Sequence, residues 1–260
     1  MGMRLVVLGS GSAGNATLVE GPGGRVLIDA GFSCRELSGR LRAVGVEPHR
    51  IDALLVTHEH ADHARGAALF STTHKIPVHC TGATWSAANL GRRGGAHAHV
   101  PVEAGIAFDA GGMRIEPFAV PHDAVATVGF TVACGERRIG YATDLGHCPG
   151  EVRRGLRDCD LLVLESNHDV EMVRSGPYPM IIKDRVLGRH GHLDNETAAE
   201  VVREVATDRT ERIVLAHLSR TNNRPDLALA ASRRAFAAAG RRAPALHPAD
   251  QFTPSPWFEV

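Results

Sequence analysis

Several things are missing from this sequence. No segment approaches the roughly 20 consecutive apolar residues that a membrane-spanning helix needs. The N-terminal residues pass directly into a strand-like run, residues 4–8, without the basic stretch and long apolar core of a secretory leader. The expectation is a cytoplasmic protein with no membrane partner. Disulfide patterns are missing too: Cys34, Cys80, Cys134, Cys148 and Cys159 are scattered, odd in number and free of any C-x-x-C pair. That excludes a disulfide framework and a structural zinc knuckle, and predicts reduced, mostly buried thiols. Net charge is absent, because 29 basic residues balance 29 acidic ones. No global field draws in nucleic acid, so any polyanionic partner must be held by a local patch. Lysine is nearly absent, with only Lys75 and Lys183. Either coding composition favours arginine, or the planar guanidinium fork is wanted for bidentate phosphate contacts.

What is present is an ordinary globular composition, 43% apolar and 22% charged over 260 residues, without repeats, low-complexity tracts or long linkers. That is enough chain for one sizeable core, and residues 1–260 read as one domain. Residues 5–8, 17–20 and 25–28 read as strands, the last two joined by a Gly21-Pro22-Gly23-Gly24 turn. Ser33-Cys34-Arg35-Glu36 is a capping-box pattern opening a helix that runs to about Val44. Residues 52–57 read as a strand, a helix follows from about Asp62, and 77–81 is another strand. Strands at 113–120, 126–134, 137–141, 161–165 and 212–216 and helices at 196–207 and 226–239 complete the pattern. Strands mixed with helices in both halves predict two central sheets with helices outside, an α/β arrangement.

The chain has 15 histidines, and where they cluster carries more than their number. His49, His74 and His247 are expected at the surface. Residues 54–63 read Leu-Leu-Val-Thr-His-Glu-His-Ala-Asp-His, so an apolar strand ends and four potential ligands follow within six residues. In an extended segment, side chains at i and i+2 point the same way, so His58 and His60 can face one metal ion. Asp62 and His63, where a helix begins, turn toward a second point nearby. Imidazole and carboxylate donors together suit zinc, manganese or iron.

This His-x-His-x-Asp-His order directly after a buried strand resembles the signature of the metallo-β-lactamase superfamily. The resemblance implies a four-layer αβ/βα sandwich, two mixed β-sheets flanked by helices, holding two divalent metal ions. It also implies further ligands from later strand ends, and each has a match: His122 after Val120-Pro121, Asp144 after Tyr141-Ala142-Thr143, and His217 after Val214-Leu215-Ala216. His58, His60 and His122 would hold one ion and Asp62, His63 and His217 the other. Asp144 would span the pair, with a water or hydroxide between the ions. Asp29, in Leu27-Ile28-Asp29-Ala30-Gly31, matches an aspartate that supports the ligand loop. Read alone it is equally a turn-former before glycine.

The resemblance also sorts the chemistry. His60 in place of a carboxylate disfavours the di-iron, oxygen-reducing branch. An aspartate bridging position and no leader disfavour lactam hydrolysis. Glu165 after an apolar strand, His192 before a helix start and the later His217 are similar in order to ribonuclease Z and its phosphodiesterase relatives. That implies Glu165 and His192 as a dyad protonating the leaving oxygen, although His192 could simply precede a helix cap at Asp194 or Asn195. Asp62 is the candidate to orient the nucleophile or take its proton.

Nearly end to end, the chain resembles the YycJ (WalJ) subfamily. The residues that carry this are Gly9-Ser10-Gly11-Ser12-Ala13-Gly14-Asn15, Glu165-Ser166-Asn167-His168-Asp169, Tyr178-Pro179 with Ile182-Lys183, and His217 through Asn223. Ala13 departs from the small polar residue more usual there. The resemblance implies 5′→3′ exonuclease-like phosphodiester hydrolysis of nucleic acid, DNA first and RNA second, with zinc or manganese. The glycine-rich turn either offers backbone N–H groups to a phosphate or is a tight turn. His168 reads as a supporting residue near Glu165. Ser219, Arg220, Asn222 and Arg224 are candidates to grip phosphate, with solvated surface arginines as the plain alternative. Three rival functions stay open: a small-molecule cyclic phosphodiesterase acting on a cyclic ribose phosphate, a glyoxalase II-like thioesterase, and a non-catalytic nucleic-acid-binding protein with structural metals.

Overall fold

The apolar β-branched runs pair into two seven-stranded sheets in the computed structural model, which describes residues 2–260. The first half of the chain supplies β1 (Arg4–Gly9), β2 (Ala16–Gly21), β3 (Gly24–Ile28), α1 (Cys34–Ala43), β4 (Ala53–Leu55), α2 (Ala61–Ala64), α3 (Ala67–His74), β5 (Val78–Cys80), α4 (Gly82–Ala87) and β6 (His99–Pro101). The second supplies β7 (Phe108–Ala110), β8 (Met113–Ala119), β9 (Val128–Cys134), β10 (Arg137–Ala142), α5 (Gly150–Leu156), β11 (Leu161–Glu165), α6 (Val170–Ser175), α7 (Met180–Leu187), α8 (Asn195–Val205), β12 (Arg212–Ala216), α9 (Pro225–Ala238) and β13 (Ala245–Pro248). A last short strand, β14 (Phe258–Glu259), returns to the first sheet. The orders are β14-β1-β2-β3-β4-β5-β6 and β13-β12-β11-β10-β9-β8-β7.

Each sheet has an antiparallel half and a parallel half. In the first, β1 to β3 pair antiparallel and β3 to β6 parallel. In the second, β7 to β10 pair antiparallel and β10 to β13 parallel. The alternation makes β1 run with β3 and β4, and β8 run with β10, β11 and β12, so their C-terminal ends collect at one edge of each sheet. In open α/β sheets that edge is where ligands bind.

The expected four layers follow from where the apolar faces go. One cluster fills the space between the sheets, with Leu5, Val7, Ile28 and Leu55 meeting Phe130, Tyr141, Val163 and Val214. A second lies under α1, α3 and α4, around Leu37, Leu41 and Phe70. A third lies under α5, α8 and α9, around Leu156, Val202 and Phe236. Strands β4 and β11 are buried at every residue, as parallel strands covered on both faces must be. Ser33 and Asp194 cap α1 and α8 by accepting backbone N–H groups with their side chains.

The structure corrects several local expectations. The helix from Asp62 is two helices, broken at Gly66, where a Cβ would lie 2.1 Å from the Phe32 carbonyl oxygen. Only glycine permits that approach. Helices α4 to α7 are short and escape periodicity; α7 buries no residue at all. His74 and His247 are half-buried rather than surface residues. All five cysteines are free, and burial pushes the thiols of Cys80 and Cys159 up to about 12 and that of Cys148 to about 11, leaving them unreactive. Among the described residues, no helix is long and apolar enough to cross a membrane.

Candidate metal centre

The strand ends deliver seven side chains to one place. His58 follows β4 in extended chain, His60 stands at the N-terminus of α2, and Asp62 and His63 lie in its single turn. Gly31 lets this turn dock, because a Cβ there would lie 1.7 Å from the Asp62 carbonyl oxygen. His122 follows β8, Asp144 follows β10 and His217 follows β12. Donor atoms of His58, His60 and His122 lie within 4.8 Å of one another, as do those of Asp62, His63 and His217. Asp144 lies between the sets: Oδ2 is 2.9 Å from His63 Nε2 and Oδ1 is 3.7 Å from His122 Nε2.

One buried atom in this cluster, Nε2 of His58, makes no hydrogen bond. Leaving such a group without a partner costs about 1–3 kcal/mol, so this atom is arranged for a ligand other than protein. Asp29, Asp144 and His217 all have left-handed backbone, with φ of 64°, 59° and 54°. Non-glycine residues adopt it at a cost, and such strain collects at functional sites. The donor set of imidazoles and carboxylates suits divalent cations.

The ring nitrogens facing away from the cluster are held differently in the two sets. Asp29, fully buried, accepts from His63 Nδ1 at 2.7 Å and from the Thr57 backbone N–H and hydroxyl. Glu165 Oε1 is 3.2 Å from His217 Nδ1. By contrast, His58 Nδ1 meets only the Thr57 hydroxyl and His122 Nδ1 only the Gly191 carbonyl. Burial depresses the pKa of His58 and His122, whereas His63 is driven well above the histidine range by Asp144 and Asp29 despite burial. His217 reaches about 10: burial opposes the rise, but Asp144, Asp62 and Glu165 outweigh it.

Glu165 serves a second histidine as well. Its Oε1 accepts from His192 Nδ1 at 2.8 Å, while Oε2 accepts the backbone N–H groups of Leu145 and Leu193. Burial works against ionisation of Glu165, yet His192 and His217 hold its pKa near 2. In return, against the effect of burial, Glu165 and Asp144 raise the pKa of His192.

The remaining sequence candidates lie in mixed settings. Buried His168 meets Asn167 Oδ1 at 3.3 Å. Ser219 and Asn222 are buried and bonded to each other, Ser219 Oγ accepting from the Asn222 N–H. Arg220 is stacked on Phe252 and Arg224 is paired with Asp226. Four backbone N–H groups of the Gly9–Gly14 turn are bonded within the protein, those of Ser10, Gly11, Ala13 and Gly14 to Asp250, Asn15, Gln251 and Gly11. The turn braces the cluster instead: Ser10 Oγ accepts the His217 N–H, and Asn15 Nδ2 is 3.0 Å from His63 Nε2.

Sequence reading missed Asp123 and the contact of Asn167 with His217. Asp123 Oδ1 is 3.2 Å from His122 Nε2 and its other oxygen is paired with Arg185 of α7. Asn167 Nδ2 donates to the His217 carbonyl and lies 3.2 Å from His217 Nδ1. The signal for Asp123 was adjacency to His122; Asn167 stood inside the Glu165–Asp169 run that carries the subfamily resemblance.

Comparison with known proteins agrees with this geometry. Residues 24–218 match the family model described as the beta-lactamase superfamily domain. The chain is 34% identical over 236 residues to the exodeoxyribonuclease YycJ of Bacillus anthracis, covering 88% of this chain and 87% of the relative. It is 34% identical over 232 residues to the exodeoxyribonuclease WalJ of Streptococcus pneumoniae, covering 88% and 86%. The crystal structure of the metallo-beta-lactamase fold protein YhfI from Bacillus subtilis superposes with a TM-score of 0.76 over the whole of both chains at 16% identity, a likeness of fold. With its two mixed sheets and its histidine–aspartate cluster at their shared edge, the chain belongs to the beta-lactamase superfamily, alongside the YycJ and WalJ exodeoxyribonucleases.

Proposed function

We infer that this protein is a metal-dependent phosphodiester hydrolase that degrades DNA as a 5′→3′ exonuclease, working in the cytoplasm as one 1–260 domain. The observation that carries this is His192, held at 2.8 Å by buried Glu165 at the border of the seven-residue cluster. It sets a proton donor for a poor leaving group beside a cation site. The names of the relatives at 34% identity support nucleic acid, and DNA ahead of RNA.

In this reading His58, His60 and His122 hold one ion, Asp62, His63 and His217 hold the other, and Asp144 stands between them. Zinc or manganese fits the donor set, with iron as a third choice. When bound, such a pair supplies Lewis acidity toward phosphate and water of lowered pKa.

The protein's own groups do the rest. Asp62, whose side chain is 23% exposed where Asp144 is 3%, is the carboxylate able to orient an attacking water and accept its proton. His192, with Nδ1 fixed on Glu165, presents Nε2 to the departing oxygen and donates the proton there. The Glu165 carboxylate favours the protonated ring. Asp29 and Glu165 hold the His63 and His217 rings in orientation, and Asn15, Asn167 and His168 support the surrounding loops. Of the four candidates beyond His217, Arg220 and Arg224 are the exposed pair and reach a phosphate only by leaving Phe252 and Asp226, whereas buried Ser219 and Asn222 are bonded to each other and brace that loop.

A digestion panel tests this: 5′-labelled duplex DNA, single-stranded DNA, RNA, a cyclic nucleotide and a glutathione thioester, with Asp62→Ala as control. Progressive loss of DNA from the 5′ end is expected. Cleavage of the cyclic nucleotide or thioester alone contradicts the reading. His192→Ala should lose on the order of 10²–10⁴ in turnover on an unactivated diester, and far less on bis(p-nitrophenyl) phosphate, whose leaving group needs no proton. Equal losses count against the general-acid role.

A further inference from the structure

Helix α7 stands at the rim of the centre with its apolar side chains in solvent. None of its eight residues is buried. Met180 is 67% exposed, Ile181 76% and Leu187 39%. Isolated surface apolar residues are ordinary, but these three and Ile182, 37% exposed, on one short helix call for a partner. At 100° per residue, Lys183, Leu187, Met180, Asp184 and Ile181 share one side of the helix, whereas Arg185, Ile182 and Val186 lie on the other.

The helix is tied to the reaction centre. Arg185 pairs with Asp123, which abuts His122. The Val186 carbonyl accepts the His192 N–H, and the Gly191 carbonyl accepts from His122 Nδ1. The surface is also cationic. Residues 180–192 carry Lys183, Arg185 and Arg189 against Asp184; Arg185 is paired with Asp123 and the Lys183 ammonium donates one N–H to the Arg174 carbonyl, which leaves exposed Arg189 and the other Lys183 donors for an anion. Apolar side chains flanked by cations at the mouth of a phosphodiesterase site match one chemistry: base faces bordered by phosphates.

We propose that α7 is the element that receives the DNA end. Met180, Ile181 and Leu187 pack against the bases of the terminal pair, as apolar wedges do when they unstack a base step, and Lys183 and Arg189 hold the flanking phosphates. This rests on the phosphodiesterase reading above and names how the same site receives its polymer.

The test uses zinc-reconstituted protein and a duplex with 2-aminopurine at the 5′ terminus and phosphorothioate first linkages, which slow cleavage. Wild type should raise the terminal fluorescence on binding. The double variant M180S/I181S should lose that rise and bind the end roughly tenfold more weakly, the worth of one lost base contact. The ratio of DNA cleavage to bis(p-nitrophenyl) phosphate cleavage should fall by the same factor. R189E should weaken binding with a shallower salt dependence. An unchanged fluorescence rise and affinity in M180S/I181S overturns the proposal, even where wild type degrades DNA and the function above stands. Wild type that binds and unstacks the end but hydrolyses no phosphodiester supports this surface and overturns the hydrolase reading. A wild-type dimer that M180S/I181S converts to monomer assigns the face to a second copy and overturns the proposal.

Discussion

Strand β11 carries a buried carboxylate at each end, and the two are partnered in opposite ways. Asp160, just before the strand, has a side chain 4% exposed and is bonded by the Arg138 backbone N–H at 2.8 Å and the guanidinium groups of Arg137 and Arg209. Glu165, its last residue, is 0% exposed and lies against His192 and His217. Guanidinium partners never give up their protons near neutral pH, so Asp160 is a fixed clamp. Imidazole partners titrate, so Glu165 can govern where a proton sits. The same burial chemistry thus yields stability at the N-terminal edge of the sheet and reactivity at the C-terminal edge.

The largest effect that would sharpen this contrast is at Glu165. Glu165→Gln keeps the shape but removes the charge shared by His192 and His217. Turnover on DNA should fall by on the order of 10²–10⁴ while circular dichroism still reports a folded chain; a variant that mainly unfolds would erase the distinction between the two ends. Next is Asp29, the other carboxylate that holds a ligand-set histidine. Asp29→Ala should weaken zinc binding by about 10–100-fold in a calorimetric titration, and unchanged affinity would show that His63 needs no anionic support.

Asp160→Asn should leave activity per folded molecule intact and destabilise by about 1–3 kcal/mol in urea unfolding, toward the low end because the arginine partners are half exposed. Burial pushes the Asp160 pKa up, but the Arg138 N–H, Arg209 and Arg137 hold it below the usual carboxylate range. A depressed folded pKa stabilises above the unfolded value of about 3.9, and that contribution is lost as pH falls through the folded value. The stability gap between wild type and Asp160→Asn should therefore close in acid; a gap constant from pH 7 to pH 3 breaks the comparison. The smallest effect is expected for Asn167→Ala, a roughly fivefold loss of zinc affinity from one hydrogen bond of about 1 kcal/mol, read in the same titration.

Much of the centre was legible because each ligand follows an apolar strand. His58, His122, Asp144 and His217 all stand one to three residues past a strand, and a shared sheet edge turns that repetition into convergence. The two-sheet fold was legible for the same reason: fully buried runs such as 161–164 leave no solvent face for a strand to present. What escaped notice depended on tertiary contact. Asp123 and Asn167 have no spacing signal and matter only because α7 and β12 come close. Arg220 and Arg224 look adjacent to the centre through His217, yet Phe252 and Asp226 occupy their guanidinium groups. Helix α7 was invisible to periodicity because its apolar residues face outward.

The most direct measurement couples metal content to hydrolysis of 5′-labelled duplex DNA by the same preparation. Protein stripped by chelation should be inactive, and activity should return in step with zinc or manganese as the content approaches two ions per chain. Full exonuclease activity in the stripped protein, or saturation of activity with no ion bound, would contradict the account.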